Sequence, residues 1–443
     1  MIVRLSSQSA RLTLVCVSVV LAGSLAYFSI RNARAQYLAA SQAPPGLDRA
    51  VQLEPGNARN WFLLGHYWQY NLEQRDTARA ITFYKIALSL DPHSPSTWLD
   101  LGEASETEGD LKSARAAFLQ AKENYPISAE VAWRYGNFLL RQGELPAAYR
   151  EIYRSLTAEP GRAAAAVSVC WRAAPEIQPI LDSALPASRD VYLSAIAVLV
   201  QEQETVAALA VWKRLAILRP KLQMEDVAKF LEVLVAKGDI ADAREVWAQS
   251  LSFAGISRPD DPAGSLIWDG GFESDVNVGF GWRIQPVNGA QVTFDASVKH
   301  SGSRALRVRF DGTQNVNFGH ICQSVAVEPG SSYRFSAWMR ADTLTTDRGV
   351  LFLLSTPELP GTPPAMTPEL RGTEPWTRVT LPLRTSKDVH IVQVCLARMP
   401  SGKLDNKIAG TVWVDDVSLL PDTLPDPVSG DARPVDLRKK ERP

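Results

Sequence analysis

Apolar residues follow three successive patterns along the chain. The first is an uncharged run, LTLVCVSVVLAGSLAYFSI, from Leu12 to Ile30. At 1.5 Å per residue a helix of this length reaches about 28 Å, close to the hydrocarbon thickness of a bilayer. It is apolar on every side and flanked by Arg11 and Arg31, which predicts a membrane-crossing helix over residues 12–30. Residues 1–46 carry four arginines and no acid. Two fates are open for this segment. A signal anchor, residues 1–35, keeps the helix; a signal peptide would be cut at Ala33-Arg34-Ala35. The run is longer than a usual signal-peptide core and Arg31 follows it directly, which weighs towards the retained anchor. With basic residues at both ends, the free α-amine tips the orientation to N-in. The expected location is a single pass through the inner membrane, with the bulk of the chain periplasmic or otherwise extracytoplasmic.

From residue 47 to 254 the apolar positions recur at helical spacing with regular punctuation. Pro92, Pro126 and Pro160 lie 34 residues apart. One period reads Trp98, Leu101-Gly102, Gly109-Asp110, Ala114, Phe118, Ala121 and Pro126. The next gives Tyr135-Gly136, Gly143, Ala148, Ile152 and Pro160; the preceding one gives Trp61, Leu64-Gly65, Ala80, Tyr84, Ala87 and Pro92. This pattern resembles the tetratricopeptide repeat, and beyond Pro160 it decays into degenerate units. The resemblance implies an all-α solenoid whose first helices line a concave groove. Carried over position by position, the groove residues are Arg59, Phe62, His66, Gln69 and Tyr70, then Leu99, Glu103 and Glu106, then Glu130, Trp133, Asn137 and Arg141. Phe62, Tyr70, Leu99 and Trp133 are the expected apolar anchors for a protein partner. Asp100, Glu103, Glu106, Glu108 and Asp110 form an acid run with no base among them, either a solvated face or an acidic recognition patch.

After Arg258–Gly264, which places a linker over residues 255–265, short alternating runs take over. They are Leu306–Phe310, Ile321–Val327, Tyr333–Arg340, Val350–Leu354, Thr377–Leu383, Ile391–Arg398 and Thr411–Leu420. Such runs without helices between them predict an antiparallel sandwich. The ordered fragments DGGFE (269–273), Gly281-Trp282, HSGSRALRV (300–308), PGSSY (329–333), FSAWMRA (335–341), WTRV (376–379) and VWVDDV (412–417) resemble the jelly-roll carbohydrate-binding modules appended to glycoside hydrolases. The resemblance covers residues 266–420. It implies a structural calcium ion held by Glu273 with Asp415 or Asp416, completed by carbonyls near 299–303. Simple alternation sends Asp415 and Asp416 to opposite faces of their strand. Alternation also places Arg307, Arg309, Trp338, Arg340 and Gln393 on one outward sheet face. Guanidinium forks beside a Trp would suit an acidic polysaccharide; the alternative is a charged outer face covered by Trp338. Trp282, Trp376 and Trp413 are expected in the core or rim. Cys322 and Cys395 could bridge outside the cytoplasm, and Cys170 is expected buried in a helix.

Charge and composition then narrow the function. The chain has 47 basic and 48 acidic residues, so its formal charge of −1 offers no attraction to nucleic acid. No phosphate loop, GxSxG elbow, HExxH or cleft-facing carboxylate pair occurs, and a non-catalytic role is expected. Two roles fit. One is a membrane-tethered adaptor that binds a protein partner through its repeats and a glycan through its sandwich, in exopolysaccharide or O-antigen assembly. The other is a protein–protein scaffold in envelope assembly or secretion, whose sandwich has lost sugar binding. The polar, proline-containing tail at 421–443 reads as disordered.

Overall fold

The structure, a computed structural model, describes residues 7–41 and 43–422. Most of the tail expected to be disordered, residues 423–443, therefore lies outside the described residues. The chain divides into two compact units, Met1–Val198 and Leu199–Pro443.

The first unit opens with α1, Gln8–Ala40, which is longer than the apolar run itself. The residues from Leu12 to Ile30 are exposed, as a lipid-facing helix requires, and the helix is long and apolar enough to cross a membrane. Its last turns behave differently. Ala35 and Ala39 are buried, and Leu38 and Ala39 pack with Leu47, Ala50, Val51 and Leu64. These partners come from α2 (Pro44–Leu53) and α3 (Ala58–Tyr70). The apolar helix thus runs into the first hairpin without a break.

Three helix pairs follow: α3 with α4 (Thr77–Leu90), α5 (Pro95–Thr107) with α6 (Leu111–Asn124), and α7 (Ala129–Arg141) with α8 (Leu145–Ala158). A missing side chain sets each crossing. A Cβ on Gly65 would sit 2.7 Å from the Tyr84 ring, and one on Gly102 would sit 3.0 Å from Phe118. The same slot at Gly136 is filled by Ile152, 3.1 Å away. The helix starts are set by side-chain caps: Asn57, Asp76, Ser94, Asp110 and Ser128 each accept a backbone N–H of the first turn. Trp61 and Trp98 donate their indole N–H to the carbonyls of Pro55 and Pro92, tying each repeat to the turn before it. The array erodes through α9 (Ala163–Ala173), α10 (Ile177–Ser183) and α11 (Arg189–Gln201). Cys170 is buried in α9, and burial pushes its thiol up to about 12.

The second unit joins α12 (Thr205–Ile217), α13 (Ala228–Lys237) and α14 (Ile240–Ala254) to a β-sandwich. The helical pattern continues to 254, but packing divides the chain earlier, after Val198. Aromatic contact accounts for the difference. Trp247 of α14 meets Trp268 and Phe280 edge-on at 5.7 and 6.1 Å. Gly279, at φ +55°, lies where a Cβ would come within 2.6 Å of Trp247. The segment expected as a linker is also tied down, since Asp261 accepts the N–H groups of Asp269 and Gly270.

The sandwich strands are β1 (Arg283–Ile284), β2 (Ala290–Asp295), β3 (Ala305–Asp311), β4 (Phe318–Ala326), β5 (Ser332–Leu344), β6 (Leu351–Ser355), β7 (Ala365–Met366), β8 (Gly372–Arg384), β9 (Ile391–Arg398) and β10 (Ala409–Pro421). They form two antiparallel sheets, ordered β1-β4-β9-β6-β7 and β2-β3-β10-β5-β8. Between them lie Leu306, Val308, Phe310, Phe335, Met339, Val392, Val394 and Leu396, the inward residues that alternation selects. Cys322 and Cys395 face one another across β4 and β9 and form a disulfide.

Candidate functional site

The groove of the first unit is built as a ladder of polar contacts between successive first helices. His66 Nδ1 lies 3.1 Å from the carboxylate of Asp100, and Arg134 donates to the other oxygen of that carboxylate at 2.7 Å. Asp100 and Arg134 are equivalent positions, each two residues before a slot glycine (Gly102, Gly136), so the repeat itself sets them side by side; His66, one residue past Gly65, reaches Asp100 from a different position on its own helix. Arg134 also donates to Glu103 at 2.6 Å, and Glu103 accepts the Tyr70 hydroxyl at 2.9 Å. Arg141 grips Glu106 with two bonds at 2.8 and 2.7 Å. Burial alone would lower the Arg134 pKa, but its bonds to Glu103 and Asp100 outweigh that and raise it. Burial, with those two acids alongside, pushes the Tyr70 phenol up.

This geometry corrects the acidic-patch reading. Asp100, Glu103 and Glu106 meet their bases one repeat later, on α7, while Asp110 caps α6. It also removes one expected anchor. Leu99 is 3% exposed and belongs to the interior, because the turn of α5 that carries it faces the neighbouring helices. Gln69 is likewise buried, accepting the Tyr84 hydroxyl. Phe62 is half-buried, with its ring near those of Tyr84 and His66. Tyr70 is exposed and, with Leu47, Leu63, His66, Tyr67 and Asn71, lines a hollow of about 180 Å³. Trp133 is half-buried beneath the Arg162 guanidinium, 5.9 Å from its ring, and Arg162 bridges Glu130 and Glu159. Asn137 turns back to the carbonyl of Trp133. Arg134 and Arg162 were absent from the sequence-based groove. The 34-residue offset from Asp100 was the available signal for Arg134; nothing comparable marks Arg162.

On the sandwich, the outward face of β2-β3-β10-β5-β8 reads as registered rows. Gln291, Arg309, Thr411 and Asp342 form one row; Thr293, Arg307, Trp413 and Arg340 form the next. A third holds Asp415, Trp338 and Arg378. Gln393 is not on this face. It sits on β9 in the opposite sheet, because alternation assigns the side of a strand but not the sheet to which it belongs. Trp338 is present on the face but covered. The His300 ring stacks on it at 4.1 Å and meets Trp376 edge-on. Trp413 joins the floor, with its indole N–H donated to Asp295 at 3.0 Å and the guanidiniums of Arg307 and Arg340 5.9 and 5.5 Å from its ring. The bonds from Ser297 and Trp413 hold Asp295 well below the usual carboxylate range. Trp282 belongs to the core, as expected.

The loop carrying His300 is clasped from two distant parts of the chain. Glu273 accepts the N–H and hydroxyl of Ser303, and Gly302 is positioned so that a Cβ would collide with that carboxylate. Burial alone would raise the Glu273 pKa; the bonds from Ser303 outweigh it and lower it. Asp415, fully buried, accepts the N–H groups of His300 and Ser301 at 2.8 and 3.1 Å. Burial raises its pKa against the effect of those bonds. Asp416 lies 2.5 Å from His300 Nδ1 and accepts the Ser301 hydroxyl at 2.6 Å. Simple alternation fails here. A bulge between Asp415 and Ser418, with Asp416 at φ +49°, turns both carboxylates to the same loop. Nearby, burial pushes the Asp269 carboxyl up to about 6. Among the described residues no three His, Cys, Asp or Glu side chains group closely enough to hold a metal. The bonds to Glu273 and Asp415 come from N–H and hydroxyl groups, so an ion would need carbonyls to complete its shell.

Two segments match known families. Residues 71–132 match the tetratricopeptide repeat, and residues 264–355 match a carbohydrate binding domain. The chain therefore carries tetratricopeptide repeats in its N-terminal part and a carbohydrate-binding-domain-like sandwich in its C-terminal part. No curated protein matches it. Among solved structures, Pseudomonas aeruginosa PilF aligns at 17% identity over 51% of this chain and 93% of its own, with a TM-score of 0.29. A Clostridium thermocellum endo-1,4-β-xylanase complexed with xylohexaose aligns at 15% identity and a TM-score of 0.26, over 36% of this chain and 29% of its own. A xylan-binding domain aligns at 17% identity over 36% and 97%, again at 0.26.

The ladder predicts unequal costs for its two arginines. Arg134→Ala strands the buried Asp100 carboxylate and should lower stability by about 3 kcal/mol in urea unfolding. Arg141→Ala breaks a more exposed pair and should cost about 1 kcal/mol or less. Equal losses would contradict this ranking.

Proposed function

We propose that the chain is a non-catalytic, membrane-tethered adaptor whose repeats hold a protein partner and whose sandwich engages a glycan, in exopolysaccharide or O-antigen assembly. The observation that carries the protein-binding half is the ladder. It fixes three successive first helices in register and leaves Tyr70 and His66 exposed, and Trp133 half-exposed under Arg162, along them. A groove whose charges are already paired recognises a partner by shape and aromatic contact, with rim charges contributing less. Asn137, Glu130 and the Arg141–Glu106 pair border that surface in this reading.

The retained anchor is supported by the path of α1. The Ala33–Ala35 cleavage site is helical, and Ala35 is wholly buried. A protease that needs an extended strand has nothing to seize there. We place the helix in the inner membrane with the two folded units on its outer side. The purely protein-binding scaffold remains the second reading, favoured by one observation: His300 covers Trp338, the aromatic platform expected for sugar.

Calcium belongs to this proposal as a stabiliser of the clasp. Glu273 with Asp415 or Asp416 would hold it, with carbonyls near 299–303 completing the shell. A ligand bound only to the native state stabilises it by mass action, so chelation of calcium-saturated protein should lower the melting temperature by several degrees. No change on chelation would show that the carboxylates hold the loop without an ion.

The groove is tested by photo-crosslinking in cells at positions 66, 70 and 133, with Trp133→Ala as the variant. One discrete adduct should form from groove positions and be lost in the variant, whose circular dichroism and melting temperature stay unchanged. If the variant melts several degrees lower, Trp133 serves packing under Arg162 and the groove reading fails at its main anchor.

A further inference from the structure

We infer that the β2-β3-β10-β5-β8 face is a site for a carboxylated polysaccharide, a chain of uronate residues, gripped by Arg307, Arg340 and Arg309; this rests on the glycan reading above. Arg307 and Arg340 are cross-strand neighbours of Trp413 on either side. Both guanidiniums lie close to its ring, at 5.9 and 5.5 Å. A stacked guanidinium has already lost much of its side-chain freedom, so presenting its fork to a carboxylate costs little further ordering. Two strand spacings separate the two Cα atoms, roughly 10 Å, and Arg309 lies two residues along β3 from Arg307, roughly 7 Å. That spacing suits a polymer carrying a carboxylate on each unit better than one small anion.

The charges are also uncommitted. Among the described residues none of the three arginines forms an ion pair, and Arg307 Nε has no hydrogen-bond partner. The acids Asp295 and Asp311 on the same face stay ionised but make no ion pair with these three arginines. Asp295 is held by Ser297 and Trp413, and Asp311 by Thr313. Asp342 lies beyond Thr411 in the row of Arg309. Arg307 and Arg309 open onto a cleft of about 940 Å³ that Asp311 also lines, beside Asn288, Gln291 and Thr411, polar groups of the kind that take sugar hydroxyls. Because His300 covers Trp338, ring stacking is not offered there, and the guanidinium forks become the main contact.

The test uses the full-length protein in detergent and compares polygalacturonate, the same polymer fully methyl-esterified, and neutral xylan. Binding should favour the free acid at least tenfold over the ester and weaken as salt rises. Arg307→Gln with Arg340→Gln should weaken it at least tenfold. Arg309→Gln changes an exposed side chain, so its loss of affinity at unchanged melting temperature separates recognition from folding. Equal affinity for acid and ester, or variants that bind as the parent does, would overturn the inference. Binding of xylan alone would overturn it while leaving the glycan reading intact; binding of none of the three polymers would remove both.

Discussion

The stacking of each first helix on the next governs the first unit. Each repeat closes where a side chain is missing: the slots at Gly65 and Gly102 admit the rings of Tyr84 and Phe118, and the slot at Gly136 admits Ile152. With the pairs closed in this way, facing turns of successive first helices meet. His66, Asp100 and Arg134 therefore form a chain of contacts, and Glu106 meets Arg141. Desolvating Asp100 would be costly without these partners, so the small-residue slots and the ion pairs depend on one another. A larger side chain at Gly65 would push α4 away and lengthen those contacts. The same rigidity makes the groove a preformed surface, and it extends back into α1, whose Leu38 and Ala39 pack with Leu47, Ala50, Val51 and Leu64.

In the second unit, local irregularity does comparable work. The bulge at Asp415–Ser418 brings two adjacent carboxylates to one loop, and Glu273 takes the loop from its other end. The clasp fixes His300, and His300 settles what the neighbouring sheet face offers by covering Trp338. Arg307 and Arg340, half-buried on either side of the buried Trp413, are left on that face. The site's chemistry thus follows from a turn outside it.

Much of this was legible in the residues. The proline and glycine spacing from Trp61 to Pro160 gave the helix pairs, and alternation gave the inward set Leu306, Val308, Phe310, Val392 and Val394. What escaped were properties of three-dimensional neighbours. The acids of α5 looked unpaired because their bases lie a full repeat away. Leu99 looked exposed because a repeat pattern assigns a helix face more coarsely than packing does. Gln393 was grouped with Arg307 because a one-dimensional pattern cannot tell two sheets apart. Asp415 and Asp416 were sent to opposite faces because a bulge leaves no trace in simple alternation. The pairing of Cys322 with Cys395 needed the register of β4 against β9.

That pairing gives the most direct test of the proposed adaptor, which requires the sandwich to work beyond the membrane. Disulfides persist in oxidising compartments and are rare in reducing ones. Cells expressing the full-length chain would be acid-quenched and alkylated before and after reduction, and the labelled cysteines identified by mass spectrometry. Cys322 and Cys395 should take label only after reduction. Complete labelling of both without reduction would place the sandwich on the reducing side and contradict the proposed adaptor.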